Sequence, residues 1–245
     1  MHRFFVSPPS ISDSLWSLSE EDSRHALKVL RLKCGDQVEA FSDDGRFLAE
    51  ISSIQENRIL VRVLSPLSVT EPSLKITLFQ GLPKSDKMDW IVQKAVELGV
   101  TRIVPVRMSR CVVRLDEKDA ARKVERWHKI SREACKQSGR CTVPEITLPV
   151  SVSDLCKEVA GLSLCVVPWE GCASGGPLAV FRDHPSLSSL GIVIGPEGGI
   201  SSEEMALFRE AACVPITLGK RILRTETAGL SAVSAFMALY GEMEE

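Results

Sequence analysis

Two segments near the C-terminus combine residue types that suit a flat ligand carrying charge. The first is Gly195-Pro196-Glu197-Gly198-Gly199, and the second runs from Leu218 to Ala228. Glycines let the backbone come close to a ligand, and the free N–H groups at a helix start supply hydrogen-bond donors. In the second segment apolar side chains can sandwich a base, while cations meet phosphate or a developing oxyanion. These side chains are Lys220, Arg221, Ile222, Leu223 and Arg224.

Each segment follows a predicted strand and precedes a predicted helix. The strands are Leu190 to Ile194 and Pro215 to Leu218. Turns that leave neighbouring parallel strands meet beyond the strand ends, where α/β folds hold ligands, so we predict one shared site. Trp169 and Glu170, just past another apolar strand, form a predicted third wall. The alternatives are a purely structural strand-to-helix turn and a tryptophan that covers the core.

The glycine spacing of the first segment excludes two common nucleotide-binding motifs. It matches neither a Gly-x-Gly-x-x-Gly fingerprint nor a Walker loop, because no Gly-Lys-Ser/Thr follows. An enzyme that binds a dinucleotide or a nucleoside triphosphate is therefore disfavoured.

The composition is that of an ordinary globular protein. The chain has 245 residues, 44% hydrophobic and 25% charged, which allows one or two domains. No apolar run reaches the roughly 18 residues of a membrane span, and the N-terminal apolar stretch is too short for a signal peptide. We expect a cytoplasmic protein with no membrane partner.

The cysteines indicate structural thiols rather than a metal site. The eight cysteines are scattered without a Cys-x-x-Cys pair, and only four histidines are present. Metal sites need clustered ligands, so we predict no metal and mostly buried, reduced thiols.

Charge distribution, rather than net charge, points to nucleic acid. The formal net charge is −2, but residues 102–140 hold twelve Lys/Arg against five Asp/Glu, a local excess of +7. A basic face on a neutral protein can bind a phosphate backbone, because that attraction is short-ranged in salt. A solvated helix face is the alternative.

The first seventy residues predict a small β-barrel. Predicted strands are Arg3 to Val6, Gln37 to Phe41, Arg46 to Ile54 and Arg58 to Leu64. A hairpin turn at Asp43-Asp44-Gly45 joins the second and third, and a helix from Ser19 to Leu32 precedes them, with Ser19 as N-cap. The Pro/Ser-rich stretch 65–73 marks the boundary between a domain of residues 1–70 and one of residues 73–245.

The second domain alternates strands and helices, which predicts a largely parallel sheet covered by helices. The predicted strands are Leu74 to Leu82, Val100 to Val106, Leu164 to Val167 and Leu190 to Ile194. The predicted helices are Lys87 to Leu98, Glu117 to Ser138, one opened by the capping box Ser201–Glu204, and Thr225 to Tyr240. The fold class is thus α/β with a small N-terminal barrel.

Four motifs, in order along the chain, resemble the bacterial family of 16S ribosomal RNA uridine-N3 methyltransferases within the SPOUT superfamily. They are the segments Arg24–Arg31, Lys84–Trp90 and Lys136–Arg140, and the pair of C-terminal segments. Ser85 stands where the family pattern leads one to expect glycine.

The resemblance implies a PUA-like RNA-binding barrel and an α/β domain tied as a deep trefoil knot. It implies a homodimer, and a pocket for S-adenosylmethionine made by the two C-terminal loops. The residues expected to bind this cofactor are Val167, Gly195, Glu197, Gly198, Gly199, Leu218 and Leu223. Those expected to bind 16S rRNA are Arg24, His25, Lys28, Arg31, Arg110 and Arg140; for the first four, a solvated helix face is the alternative.

The implied reaction moves a methyl group from a sulfonium to a ring nitrogen and requires no metal. Uridine N3 carries a proton at neutral pH, so the nucleophile is the deprotonated imide, which a nearby cation would stabilise. Arg224 is the predicted catalytic cation, with Arg110 and Arg140 as alternatives. Glu197 either accepts a proton, bonds the cofactor or fixes the turn. Because N3 lies on the pairing edge, the base must be unpaired or extruded.

Three other functions compete with this interpretation. One is a knotted methyltransferase with another target, such as a ribose 2′-hydroxyl in tRNA or 23S rRNA. The second is a non-catalytic RNA-binding module with a vestigial glycine turn, and the third is an enzyme acting on a phosphorylated metabolite. The complete Leu218-to-Ala228 segment disfavours the second, and the barrel is unexplained by the third.

Overall fold

The computed structural model describes residues 1–7, 15–42 and 44–244. The chain divides into two compact units. The first consists of residues 1–71 and 135–143, and the second of residues 72–134 and 144–245.

The first unit is a closed five-stranded barrel with one helix. Its elements are β1 (Arg3–Ser7), β2 (Trp16–Leu18), α1 (Glu20–Lys28), β3 (Gln37–Ser42), β4 (Gly45–Gln55) and β5 (Arg58–Pro66). The strand order is β1-β2-β5-β4-β3, and β3 closes the barrel by parallel pairing with β1. Inward side chains such as Phe4, Val38, Ile51 and Val61 are buried and form the barrel core. The predicted barrel is confirmed.

Local signals of this unit are borne out, but one helix ends earlier than predicted and one strand was missed. Ser42 pairs with Gly45 at the predicted hairpin, whose Asp43 lies outside the described residues. The Ser19 side chain accepts a hydrogen bond from Asp22 N, as expected of an N-cap. Helix α1 ends at Lys28 rather than Leu32, because Arg31 takes a left-handed φ of 57°. Strand β2 was not predicted, because three residues carry too little periodicity.

Residues 135–143 belong to the first unit through polar contacts. Glu71 accepts hydrogen bonds from Arg140 Nη2 at 2.7 Å and from Thr142 N at 3.0 Å. Lys136 Nζ lies 2.9 Å from a carboxylate oxygen of Asp22. The sequence did not reveal that a segment so far along the chain joins the barrel.

The second unit is built on a seven-stranded sheet. Its strands are β6 (Lys75–Gly81), β7 (Arg102–Arg107), β8 (Glu145–Ile146), β9 (Val150–Ser151), β10 (Leu164–Pro168), β11 (Ser189–Ile194) and β12 (Val214–Ile216). Its helices are α2 (Lys87–Glu97), α3 (Glu117–Ser138, whose last turn belongs to the first unit), α4 (Val152–Glu158), α5 (Pro177–Asp183), α6 (Ser202–Glu210) and α7 (Thr225–Leu239), with a 3-10 turn at Val159–Gly161.

The strands run in the order β12-β10-β11-β6-β7-β8, with β9 also paired to β7, and every pairing is parallel. Their carboxyl ends therefore meet at one edge of the sheet. Helix α7 packs on β11, β6 and α2, and its residues Gly229, Ala232 and Phe236 are buried. The predicted parallel α/β fold is confirmed.

Helical periodicity predicted α2, α3, α6 and α7 of the second unit but missed the seven-residue helices α4 and α5. Helix α3 spans the predicted residues, and α2 buries one face, made of Met88, Ile91, Val92, Ala95 and Val96. Ser201 and Glu204 form the predicted capping box. Helix α2 is preceded by Ser85, whose φ of 56° is left-handed. Glycine would take this conformation without strain, which gives a physical reason for expecting it there.

The cysteines behave as structural thiols. All eight are free, and five of them are buried. Burial raises the pKa of the Cys111, Cys141 and Cys156 thiols, so these groups stay neutral.

Within the described ranges, no helix is long and apolar enough to cross a membrane. Over the same residues, no group of three or more His, Cys, Asp or Glu side chains is arranged to hold a metal ion.

Gly81 ends β6 where the chain passes close to Pro196. A Cβ atom at this position would lie 2.7 Å from Pro196 N and 3.0 Å from Ile194 O. We expect Gly81→Ala to lower the free energy of unfolding by roughly 1–3 kcal/mol, because rigid backbone must move. Denaturant unfolding measures the change.

Gly161→Ala is the matched control, since its added Cβ meets no atom within 4 Å. This variant should stay within about 0.5 kcal/mol of the parent. Equal stability of the two variants would contradict the close approach at Gly81.

Candidate functional site

A cavity of about 690 Å³ lies beyond the carboxyl ends of β10, β11 and β12. Its walls are three loops, each following one of these strands: residues 168–173, 194–200 and 217–225, joined by Lys87 and Ala228. Since β12, β10 and β11 are neighbours in the sheet, their loops must converge. The structure thus brings together the two glycine-bearing segments and places Trp169 and Glu170 in the third wall, as predicted.

The loops after β10 and β12 are tied together by backbone hydrogen bonds. Trp169 N donates to Ile216 O at 3.0 Å, and Thr217 N donates to Gly175 O at 3.0 Å. The Trp169 ring packs against the hydrophobic core, and the guanidinium of Arg209 lies 5.5 Å from its centroid. This wall is therefore held by the fold before any ligand is bound.

The loop after β11 is joined to the start of α7 through one hydroxyl. Thr225 Oγ1 donates to Gly195 O at 2.6 Å and accepts from Gln80 Nε2 at 2.9 Å. Gln80 is fully buried and Thr225 nearly so. Hydrogen bonds in such a low-dielectric position are strong and costly to break, so they fix the distance between the two loops.

Two ion pairs of Lys87, which we call the charged clamp, lie at the same corner of the cavity, where the loop after β11 meets the start of α7. Lys87 Nζ lies 3.0 Å from Glu197 Oε1 and 3.2 Å from Glu226 Oε2. Glu197 also accepts a hydrogen bond from Lys84 N at 3.0 Å. No role was predicted for Lys87, Glu226 or Thr225. All three lie in the motif segments, and the opposite charges of Lys87 and Glu226 were the available signal.

These contacts favour a structural role for Glu197. Burial disfavours its charged form, but hydrogen bonds from Lys87 and from backbone N–H groups outweigh burial and lower its pKa. The carboxylate is therefore ionised at neutral pH and is a poor acceptor for the N3 proton. Its contacts fix the turn.

The turn glycines serve the protein's own packing more than the approach of a ligand. A Cβ at Gly198 would lie 2.9 Å from Arg110 Cβ, and one at Gly195 would lie 2.8 Å from Ile200 Cγ1. Gly199 has a left-handed φ of 73°. At Gly195 and Gly198 the space that a Cβ would occupy is thus filled by protein atoms, so a larger side chain there would displace the turn itself.

Most residues expected at the cofactor pocket line this cavity. They are Gly195, Glu197, Gly198, Gly199, Leu218 and Leu223. Val167 does not line it. Its side chain is fully buried in β10, one residue before the cavity wall begins at Pro168.

The three candidate catalytic arginines have different surroundings. Arg224 is exposed, lines the cavity, and immediately precedes α7. Arg110 is exposed, and its Nη1 donates to Gly198 O at 3.0 Å. Arg140 is only 3% exposed and is paired with Glu71 in the first unit. The RNA-binding and catalytic roles considered for Arg140 therefore conflict with its position, because its charge stabilises a fold contact.

The other residues expected to contact RNA lie on the first unit. Arg24, His25, Lys28 and Arg31 are all exposed at or just beyond α1. Arg24 forms an exposed ion pair with Glu20 at 3.3 Å, which contributes little and leaves the guanidinium accessible.

The basic stretch 102–140 is partly neutralised within the protein. Ion pairs with acids outside the stretch involve Arg102 with Glu145 and Glu158, Arg126 with Asp89, Lys136 with Asp22, and Arg140 with Glu71. Arg107, Arg114 and Lys118 are exposed. The sequence count therefore overstates the positive charge available to a partner.

The cavity fits a nucleoside bearing a sulfonium. Its volume is within the usual range of pockets for small molecules. Trp169, Leu218 and Leu223 supply apolar surface for a base, while the carboxylates of Glu170 and Glu226 lie at or beside the cavity for a positive charge.

Comparison with known proteins shows the family. The protein-family model described as an RNA methyltransferase domain matches residues 70–237 of this chain, and the family model described as an RNA methyltransferase PUA domain matches residues 18–64. This chain belongs to the RNA methyltransferase family, which confirms the family that its motifs resemble.

Relatives that match over nearly their whole length support the same family. Ribosomal RNA small subunit methyltransferase E of Bacillus subtilis (strain 168) is 37% identical over 96% of this chain and 95% of that protein. The crystal structure of the Neisseria gonorrhoeae protein of that name, bound to S-adenosyl methionine, is 34% identical with a TM-score of 0.84, covering 98% of both chains. A Legionella pneumophila structure in complex with the bound cofactor SAM is 35% identical with a TM-score of 0.85, covering 97% of both chains.

The clamp at Lys87 predicts a binding phenotype. In Lys87→Met two carboxylates face each other without their cation, so the loop after β11 should lose its position. We expect the affinity for S-adenosylmethionine, measured by calorimetry, to fall about tenfold or more.

Lys94→Met is the control, because Lys94 lies on the same helix and pairs only locally with Glu97. It should bind like the parent. Parental affinity in Lys87→Met would show that the clamp does not hold the pocket.

Proposed function

We propose that this chain transfers a methyl group from S-adenosylmethionine to N3 of a uridine in 16S rRNA of the small ribosomal subunit. One observation carries the proposal: two motif loops, far apart in sequence, converge on one cavity that joins apolar surface to three exposed cations, Lys220, Arg221 and Arg224. Family membership and the relatives named above support the same chemistry and the same RNA.

The cofactor would be held by the three loops at the carboxyl ends of β10, β11 and β12. Leu218, Leu223 and Trp169 provide contact for adenine, and backbone groups of residues 195–199 and 217–221 provide hydrogen bonds. When bound, S-adenosylmethionine supplies a methyl group on a positively charged sulfur. The chain's part is to hold the reacting groups in line and exclude water.

Arg224 is proposed as the catalytic cation. It lines the cavity, is exposed, and is anchored by its backbone, since Arg224 O accepts hydrogen bonds from Thr227 N and Ala228 N at 2.9 and 2.8 Å. A guanidinium in this position can stabilise the negative charge that develops on a uracil carbonyl oxygen when N3 is deprotonated. The contacts of Glu197 with Lys87 Nζ and Lys84 N disfavour it as the proton acceptor.

We also propose that the second unit is tied as a deep trefoil knot. After the edge strand β12 the chain returns across the sheet, and α7 packs on β11 and β6, which supports threading of the 217–225 segment past the 195–199 loop. An experimental structure in which the C-terminal segment passes through no loop would contradict this part.

We further propose that two copies of this chain form a homodimer, which acts in the cytoplasm. Ile222 is 84% exposed on a loop of the cavity, and a second copy covering it would remove apolar surface from water. Light scattering that gives the mass of a single chain at assay concentration would contradict the dimer.

Arg224→Ala should separate chemistry from binding. We expect methyl transfer to fall about 100-fold or more, the usual effect of removing one charge-stabilising donor, with the affinity for S-adenosylmethionine nearly unchanged. Transfer of a labelled methyl group to small-subunit RNA measures the rate of methyl transfer. Calorimetry measures the affinity for S-adenosylmethionine.

Arg182→Ala, which removes an exposed arginine on α5, is the control and should retain full turnover. Parental turnover in Arg224→Ala would remove Arg224 from the mechanism. Nucleoside mass spectrometry of the product distinguishes 3-methyluridine from ribose methylation, and no heat on titration with S-adenosylmethionine would reject the methyltransferase altogether.

A further inference from the structure

A second cavity, of about 620 Å³, lies in the first unit beside α1. It is lined by Glu20, Arg24, Leu27, Lys28, Gln55, Glu56, Asn57, Arg58 and Leu60. On the basis of the motif in α1, two of these residues, Arg24 and Lys28, were expected to contact RNA. The five residues from the end of β4, from the turn after it and from β5 had no expected role.

One buried hydrogen bond sets the geometry of this cavity. Ile59 N, near the start of β5, donates to Ser23 Oγ in α1 at 3.1 Å, and both residues are fully buried. The neighbours of this pair, Arg24 and Arg58, are exposed and line the cavity together. Lys28 lies one helical turn after Arg24 on the same face. The fold therefore gathers three cations at one place.

The other side of the cavity is a tight hairpin turn. Gln55 pairs with Arg58, so Glu56 and Asn57 form a two-residue turn, and both have left-handed φ values of 47° and 66°. Turns of this type match the twist of the flanking strands and are therefore well defined. Asparagine tolerates the left-handed conformation, and the turn places Asn57 at the cavity.

The lining is more selective than a surface that only attracts phosphate. Leu27 and Leu60 are half-buried and give an apolar floor. Gln55 and Asn57 offer both donors and acceptors, and the carboxylates of Glu20 and Glu56 reduce the positive charge. Phosphate alone needs neither an apolar floor nor carboxylates, whereas a base needs a flat apolar contact and polar groups along its edge.

We propose that this cavity binds one unpaired nucleotide of the RNA substrate. The base lies against Leu27 and Leu60, its edge meets Asn57, and its phosphate meets Arg58 and Lys28. A duplex could reach the cations only through its backbone, because its base edges are already paired. The inference rests on the proposed RNA substrate and adds a site for single-stranded RNA on the barrel.

The test compares binding of a short, labelled, mixed-sequence RNA, single-stranded and annealed to its complement, by fluorescence anisotropy over a range of salt. Arg58→Ala should weaken binding of the single strand about tenfold and reduce the slope of log affinity against log salt by about 0.7, the value of one lost phosphate contact. Asn57→Gly keeps the turn, because glycine accepts the same φ. It should weaken single-strand binding about three- to tenfold without changing the slope.

Arg62→Ala is the matched control. Arg62 is exposed on the same face of β5, four residues from Arg58, and does not line the cavity. Its variant should bind both RNAs like the parent, and Asn57→Gly should bind the duplex like the parent. If Arg58→Ala fails to fold, Asn57→Gly alone decides.

Three results would overturn the inference. They are parental single-strand binding by Asn57→Gly, a loss of duplex binding by Asn57→Gly equal to its loss of single-strand binding, and a loss in Arg62→Ala as large as in Arg58→Ala. Methyl transfer by the unsubstituted chain is scored separately. If transfer to small-subunit RNA is absent while the binding pattern holds, the proposed function fails and the nucleotide site stands; if transfer occurs and the variants bind like the parent, only the site fails.

Discussion

The hydroxyl of Thr225 joins two segments whose separation determines whether the large cavity exists. It donates to Gly195 O after β11 and accepts from Gln80 Nε2 at the end of β6, so the first turn of α7 is held against the centre of the sheet. The bond to Gly195 spans 30 positions and that to Gln80 spans 145. Because the partners are buried, water cannot replace a lost bond, and the loops keep one spacing.

The charged clamp builds on that spacing. Lys87 can reach both Glu197 and Glu226 only because Thr225, next to Glu226, is already fixed beside Gly195. Glu197 is held by this contact and by Lys84 N, which makes it a poor proton acceptor, while Arg224 stays exposed beside the start of α7. Structural and chemical roles are thus divided among neighbouring charged residues of the same motifs.

The elements predicted well are those whose residues carry their own signal. Helix α3 and the buried face of α2 follow from periodicity, and Ser19 and Ser201 from capping chemistry. The short strands β2, β8 and β9 were missed because two or three residues show no periodicity and exist as strands only through their partners. Arg140 was misjudged for a similar reason: its burial depends on Glu71, 69 positions away.

By itself the sequence determined the family, the α/β class, the barrel, and the two loops that carry the chemistry, because motifs, periodicity and turn signals are local properties of the chain. Only the tertiary structure decided how each side chain is used. It showed that Gly195 and Gly198 accommodate protein atoms, that Lys87 bridges two carboxylates, and that Ser23 places Arg58 beside α1. These facts depend on contacts between residues distant in sequence, which a pattern of residue types does not specify.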